Sequence, residues 1–262
     1  MVIRMRLIKE LYEYRAMMGS LIKRDLVGRY KGSVLGFFWT FLNPLLQLCV
    51  YTVVFSRIMN QGISDYYLFL FVVLIPWLFF STCISGGAGC VWVNKEMVNK
   101  IYFPREVLPV SFVTSCLVNM LLTFLVIFAV LILSGKGMNG IALLYLPLVI
   151  LVEYILALGL TLIVSAVTVY LRDMEYILGI VMMAWQFLSP VLYDVSRVPD
   201  DMRFFFNLNP MTPILVAYRE ILYYKRVPQL STLLQAAIFG VVMLVAGIVV
   251  FDKLKRHFAE EM

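Results

Sequence analysis

Charge is scarce in this sequence. Asp, Glu, Lys and Arg make up only 15% of its 262 residues, against about 25% in an ordinary soluble domain. Histidine occurs once, at His257 near the end of the chain, so no H-E-x-x-H zinc site can be written. No G-x-x-x-x-G-K-[ST] loop is present, which excludes ATP binding through a P-loop on this chain. Gly86-Gly87-Ala88-Gly89 is rich in glycine but lacks the lysine, lies at the end of an apolar run, and reads as helix packing. The four cysteines, Cys49, Cys83, Cys90 and Cys116, show neither zinc-site spacing nor a secreted disulfide framework. All lie in apolar runs and read as small buried hydrophobes. Internal repeats and low-complexity tracts are also missing, which disfavours transporters built from inverted repeats. The first 33 residues contain no long apolar run, so no cleavable signal peptide is expected.

What is abundant is hydrophobicity. Apolar residues make up 62% of the chain and the mean hydropathy is +0.91. They come in runs near the roughly 20 residues a helix needs to cross about 30 Å of hydrocarbon. The predicted fold is an all-α membrane protein of six transmembrane helices: Val34–Phe55, Tyr66–Val91, Val107–Leu133, Ile141–Tyr170, Tyr176–Tyr193 and Leu233–Phe251. The chain then divides into an interfacial segment, 1–33, a membrane domain, 34–251, and a tail, 252–262.

The basic residues orient these spans. Of 22 Lys and Arg, 15 fall in 1–33, 92–106, 171–175 and 252–262, and 7 on the opposite flanks. The positive-inside rule places the first set, and both termini, in the cytoplasm. The net charge of +6 is therefore a topology signal, and no nucleic-acid partner is expected.

Between the spans, the N-terminal segment carries Ile22, Leu26 and Tyr30 at four-residue spacing. This predicts an amphipathic helix lying on the membrane, either as a basic anchor or as a partner contact. In the loop 92–106, Asn94 is placed to cap a short helix over 95–102, and Pro104 forces Phe103 into an extended conformation. Ile101, Tyr102 and Phe103 would stand beside Lys100, Arg105 and Glu106, aromatic anchors with a polar rim, as in a docking knob; an ordinary loop accounts for the residues equally well. The segment 194–230 is broken by Pro199, Pro210 and Pro213. Two short helices are expected, about 199–206 and 213–224, the second starting from a Thr212 cap. They read as re-entrant elements around an outer gate or as an amphipathic surface loop. Glu153 is the only acid placed within a span, either a site in its own right or a structural hydrogen-bonding group. Trp39, Trp77, Trp92 and Trp185 suit interfacial belts or stacking on sugar rings.

Several stretches resemble one family. LIKRDLVGRYKGSVLGFFWTFLNPLLQLCVYTVVFS, residues 21–56, is similar to the opening of permease subunits of type-2 ABC exporters for bacterial surface polysaccharides such as O-antigen and teichoic acid. KIYFPREVLP (100–109), YLRDMEYI (170–177), SPVLYDVSRVP (189–199) and NLNPMTPI (207–214) match further hallmarks in order. The resemblance implies a permease homodimer in the cytoplasmic membrane, paired with two copies of a separate P-loop ATPase subunit that holds ATP and Mg; this chain carries no cofactor or metal. The substrate implied is a glycan on undecaprenyl diphosphate. The loop 92–106 would be the coupling helix, with Lys95, Glu96, Asn99, Lys100, Ile101, Tyr102, Phe103, Pro104, Arg105 and Glu106 as ATPase contacts. Phe204, Phe205, Phe206, Asn209 and Pro210 would form the outer gate.

The alternatives within and outside this class are a type-2 exporter of a drug or another lipid, a membrane-embedded glycosyltransferase, and an ion-coupled transporter. A glycosyltransferase needs convergent acids, and Asp200-Asp201 is predicted on the outer side. An ion-coupled carrier needs more intramembrane charge than Glu153 provides.

Overall fold

The computed structural model describes residues 9–29, 31–58 and 62–261, apart from the side chains at 57, 259 and 260. Tyr30, the third residue of the expected N-terminal stripe, lies outside the described residues, as do residues 1–8 of the interfacial segment. Among the described residues there are helices and turns and no strand.

Helix α1 (Arg15–Gly28) packs along a later helix, and Leu21 is its only buried residue. Its apolar and polar residues are little segregated, and Ile22 and Leu26 are only half-buried. The expected amphipathic face is thus weak, because the polar residues Asp25 and Arg29 also turn toward protein. A 3₁₀ turn, Gly36–Phe38, leads into α2 (Trp39–Thr52), which runs on through a π turn, Val53–Ile58. Helix α3 is Tyr66–Ala88, α4 is Lys95–Lys100, α5 is Val107–Leu133 and α6 is Leu146–Tyr170. After them come α7 (Met174–Phe187), α8 (Arg203–Leu208), α9 (Met211–Leu222) and α10 (Leu230–Leu254).

Among the described residues, five helical stretches are long and apolar enough to cross a membrane: Gly36–Ser56, Tyr66–Ala88, Val107–Leu133, Gly140–Tyr170 and Leu230–His257. The fourth is interrupted near Tyr145, after a short turn, Gly140–Leu143, capped by the Asn139 side chain. The fifth expected span differs most. Helix α7 has 14 residues, about 21 Å at 1.5 Å per residue. It stops because Ser189-Pro190 follows, and residues 189–192 continue as buried non-helical backbone.

Helix α3 is the axis of the bundle. It packs against α2, α5, α6, α7 and α9, and its residues from Leu68 to Ile75 are all nearly inaccessible. The closest helix pair is α6 with α10. Gly159 and Gly247 lie back to back, and a Cβ on Gly247 would collide with the Gly159 carbonyl. Small residues let two backbones approach this way, and the gain is van der Waals packing, since lipid supplies no hydrophobic drive between helices. Of the cysteines, Cys83, Cys90 and Cys116 are buried as expected, but Cys49 is exposed on α2, which packs loosely.

Both short helices of the 194–230 segment form, shifted from the expected 199–206 and 213–224 to 203–208 and 211–222. Thr212 is not the cap. The Asn209 side chain accepts from the Met211 N–H at 3.0 Å, so the helix starts two residues earlier and Thr212 falls in its first turn.

Candidate functional site

Polar residues gather at three places. The first is the loop between α3 and α5. Lys95, Glu96, Asn99, Lys100, Ile101 and Tyr102 are exposed, Tyr102 to 93%. Lys100 pairs with Glu96 one turn earlier at 3.4 Å. The helix ends at Lys100, and Ile101 is already extended, short of the expected 102. Asn94 occupies the N-cap position without capping: its amide donates to the Cys90 carbonyl at 2.7 Å and its oxygen accepts from Arg24 of α1 at 2.6 Å.

Two residues expected on the knob are turned inward. Phe103 is 6% exposed and packs with Leu21, Val107, Val169, Phe251 and Phe258. Glu106 is buried and paired with Lys255 at 2.5 Å. Arg105 donates to the Lys255 carbonyl, with Pro104 half-buried beside it. Pro104 reverses the chain after Tyr102, so one half of the loop faces out while the other is bolted to the end of α10. At the start of the loop, Trp92 lies between two cations, Arg172 at 3.8 Å and Lys95 at 4.9 Å from its ring centre. The short connection before α7 therefore rests on this loop. Neither the Trp92–Arg172 contact nor the role of Lys255 was found by sequence reasoning, because these partners come from distant segments.

The second place is the 188–226 region. Phe204 and Phe205 are exposed, 66% and 68%, while Phe206 is buried against Tyr193, ring centres 6.1 Å apart. Asn209 joins the segments: it accepts from the Trp185 ring N–H at 3.0 Å and donates to the Leu188 carbonyl at 3.1 Å and the Ser189 hydroxyl at 2.8 Å. Pro210 sits at the N-cap of α9. The buried backbone after α7 is satisfied by Arg219, which donates to the carbonyls of Pro190, Val191 and Tyr193 at 2.9, 3.2 and 3.3 Å and stacks on Phe69 at 3.7 Å. Arg219 was read as an outer-flank charge; it is a buried bolt. Nearby, burial raises the Asp194 carboxyl, but hydrogen bonds from the Ser196 N–H and the Tyr224 hydroxyl, with the Arg219 charge, outweigh it and hold it below the usual carboxylate range. Glu153 of α6 is fully buried; it accepts from the Tyr218 hydroxyl of α9 at 2.6 Å, and among the described residues its other oxygen has no hydrogen-bond partner and no second acid is hydrogen-bonded to it.

The third place is a groove of about 530 Å³ between α1, α2, α3 and α5. Arg29, Thr40, Asn43, Thr82, Asn119 and Thr123 line it beside Trp39, Ile75, Phe79 and Met120. The polar signal was visible as hydroxyls and amides scattered through apolar runs, but their convergence requires the packed helices.

Residues 18–223 match the family model described as ABC-2 type transporter. The chain is 37% identical over 259 residues to the O-antigen export system permease protein RfbA of Myxococcus xanthus, covering 98% of this chain and 99% of that one. It is 30% identical to an O-antigen export system permease protein RfbA of Klebsiella pneumoniae, over 92% of each. The polysialic acid transport protein KpsM of Escherichia coli is 23% identical, over 88% of this chain and 91% of the relative. With the helical bundle and the order of its motifs, these matches establish that the chain belongs to the ABC-2 type transporter family.

Proposed function

We propose that this chain is the membrane-spanning permease subunit of an ATP-driven exporter that moves an undecaprenyl-diphosphate-linked polysaccharide, such as O-antigen, across the cytoplasmic membrane. The observation that carries this reading is end-to-end similarity to an O-antigen export permease, 37% identity over 98% of the chain. In it, two copies pair, and α7 with the turn after it completes a sixth passage, leaving both termini in the cytoplasm. The 15 basic residues of one set of flanks support that orientation.

Hydrolysis belongs to a separate ATPase subunit, which binds ATP and Mg. The exposed half of the 92–106 loop, centred on Tyr102, docks there. Its buried half and Trp92 pass movement to α10 and α7. On the other side of the membrane, α8 and α9 dip into the outer leaflet, and Phe204 and Phe205 flank the exit with Asn209 and Pro210 as its fixed corner.

A strain lacking this chain tests the reading. Surface polysaccharide is expected to disappear while the lipid-linked glycan accumulates inside, and both return on complementation. Normal surface glycan with altered drug sensitivity would replace it with the drug-exporter alternative. Cysteines placed at Lys100 and His257 are expected to escape an impermeant thiol reagent that labels one at Asp200. Labelling at position 100 in intact cells would overturn the orientation.

A further inference from the structure

The groove between α1, α2, α3 and α5 has a chemistry that helix packing does not explain. At its α1 end stands Arg29. Its Nε and Nη2 both donate to the Asp25 carboxylate, at 3.0 and 2.9 Å. Nη2 also reaches the Ser115 hydroxyl at 3.4 Å and the Cys116 sulfur at 3.1 Å, and the guanidinium lies 5.6 Å from the Phe112 ring centre. One edge of the guanidinium is thereby fixed. Nη1 makes no hydrogen bond among the described residues.

The facing wall supplies the second observation. Thr40 is 3% exposed and its hydroxyl has no hydrogen-bond partner among the described residues, although it lines the groove. A buried hydroxyl left unmatched is unfavourable, so a ligand that completes it is favoured there. Asn43 is exposed at the groove's rim. A fixed cation, a hydroxyl without a partner and an amide lining one groove are groups to which phosphate oxygens bind. The volume, about 530 Å³, lies within the roughly 300–1,000 Å³ of small-ligand sites. The remaining walls mix Ser33, Thr82, Asn119 and Thr123 with apolar side chains, and beyond them α2 and the π turn after it leave Leu46, Val50 and Val53 exposed, a surface suited to a hydrocarbon tail.

We propose that this groove is a binding site for the phosphate head group of a lipid, with Arg29 as its cation, Thr40 and Asn43 as hydroxyl and amide partners, and the lipid tail along the outer face of α2. Asp25 is the positioning residue that holds the guanidinium. Identifying the lipid as undecaprenyl diphosphate rests on the exporter reading above; the phosphate chemistry does not.

The test uses the permease with its ATPase in phosphatidylcholine nanodiscs. Undecaprenyl diphosphate, undecaprenol, phosphatidylglycerol and inorganic pyrophosphate are titrated while the fluorescence of Trp39, in the groove wall, is followed against a Trp39→Phe blank. Undecaprenyl diphosphate is expected to bind at least roughly 10-fold more tightly than undecaprenol, and Arg29→Gln to remove that preference. Because Arg29→Gln also unpairs Asp25 and can misfold, Thr40→Val and Asn43→Leu serve as second variants. Each is expected to weaken the diphosphate lipid about 3-fold or more while leaving undecaprenol unchanged. Equal binding of the two lipids by the unmodified protein overturns the proposal, as does an undiminished preference in Thr40→Val and Asn43→Leu. If phosphatidylglycerol binds as tightly as undecaprenyl diphosphate, the phosphate site stands and the lipid-linked-glycan reading loses its support. If pyrophosphate alone competes fully, the site takes a free anion and the assignment to a lipid is wrong. If export proceeds normally in folded variants of all three positions, the site falls and the exporter reading survives.

Discussion

Helices α2 and α3 both read as membrane spans in the sequence, α2 the less apolar, and they are opposites in the structure. Both belong to apolar spans, Gly36–Ser56 of 21 residues and Tyr66–Ala88 of 23, and each contains a proline. Yet 78% of the most apolar stretch of α3 is buried and only 11% of that of α2. Hydropathy measures whether a segment prefers hydrocarbon to water; it does not say whether that hydrocarbon is protein or lipid. The difference lies in what the side chains interlock with. Phe80 of α3 meets Trp77 and, edge-on at 5.3 Å, Trp185 of α7, whereas Val50 of α2 is exposed. The proposed lipid site falls on the side that α2 leaves open.

The strongest way to sharpen the contrast is to spoil the tightest packing. Gly247→Leu drives a side chain into the Gly159 carbonyl, with no flexible neighbour to yield. A loss of more than about 4 kcal/mol is expected, enough to abolish folded protein by size-exclusion chromatography. Comparable yields for Gly247→Leu and unmodified protein would show that the α6–α10 approach is not required.

Next comes the comparison itself. Phe80→Ala leaves a cavity of about 100 Å³. The transfer term largely cancels in lipid, so the cavity term alone, about 24 cal/mol per Å³, gives about 2 kcal/mol. Val50→Ala is expected to change stability by less than about 0.5 kcal/mol. Thermal unfolding of both in one detergent checks this. A Val50→Ala loss as large as that of Phe80→Ala would mean that α2 is covered by protein in the purified state.

The loop 92–106 repeats the contrast on a smaller scale. Phe103→Ala removes a buried ring and is expected to cost about 3 kcal/mol of stability. Tyr102→Ala removes an exposed ring and is expected to leave stability unchanged, but to weaken the ATPase complex by about 2 kcal/mol, roughly 30-fold. Co-purification of the ATPase beside a melting curve separates the two. Retention of the ATPase by Tyr102→Ala at unmodified levels would move the coupling contact elsewhere.

These pairs mark the limit of what was legible. Val107–Leu133 was read to the residue, because Pro104 and charged neighbours bound it. The short length of α7 was missed, since the apolar run continues through Val191 and Leu192 after the helix has ended at Phe187. Phe103 and Tyr102 are adjacent aromatics, and no periodicity distinguishes them across a proline turn. Arg219 counted as a loop charge because its acceptors are backbone carbonyls, which carry no sequence signal. The groove at Arg29 needs four segments brought together, and only its scattered Thr and Asn residues were visible beforehand.

Glu153 is a residue for which sequence could not choose between a functional acid and a structural one. Its one hydrogen bond comes from Tyr218, at 2.6 Å, joining α6 to α9. Among the described residues its second oxygen has no hydrogen-bond partner and no cation is hydrogen-bonded to it. Glu153→Gln keeps a carbonyl acceptor for Tyr218 at the same reach and is expected to cost less than about 1 kcal/mol. Glu153→Leu leaves the Tyr218 hydroxyl buried without a partner, at about 1–3 kcal/mol. The difference between the two variants isolates the hydrogen bond from the volume of the side chain. Melting curves measure it, and transport assays on the same proteins separate the two roles. If Glu153→Gln melts normally but stops export, the carboxyl proton itself is used and the structural account fails. If both variants export in proportion to the folded protein that remains, Glu153 is a pin between α6 and α9.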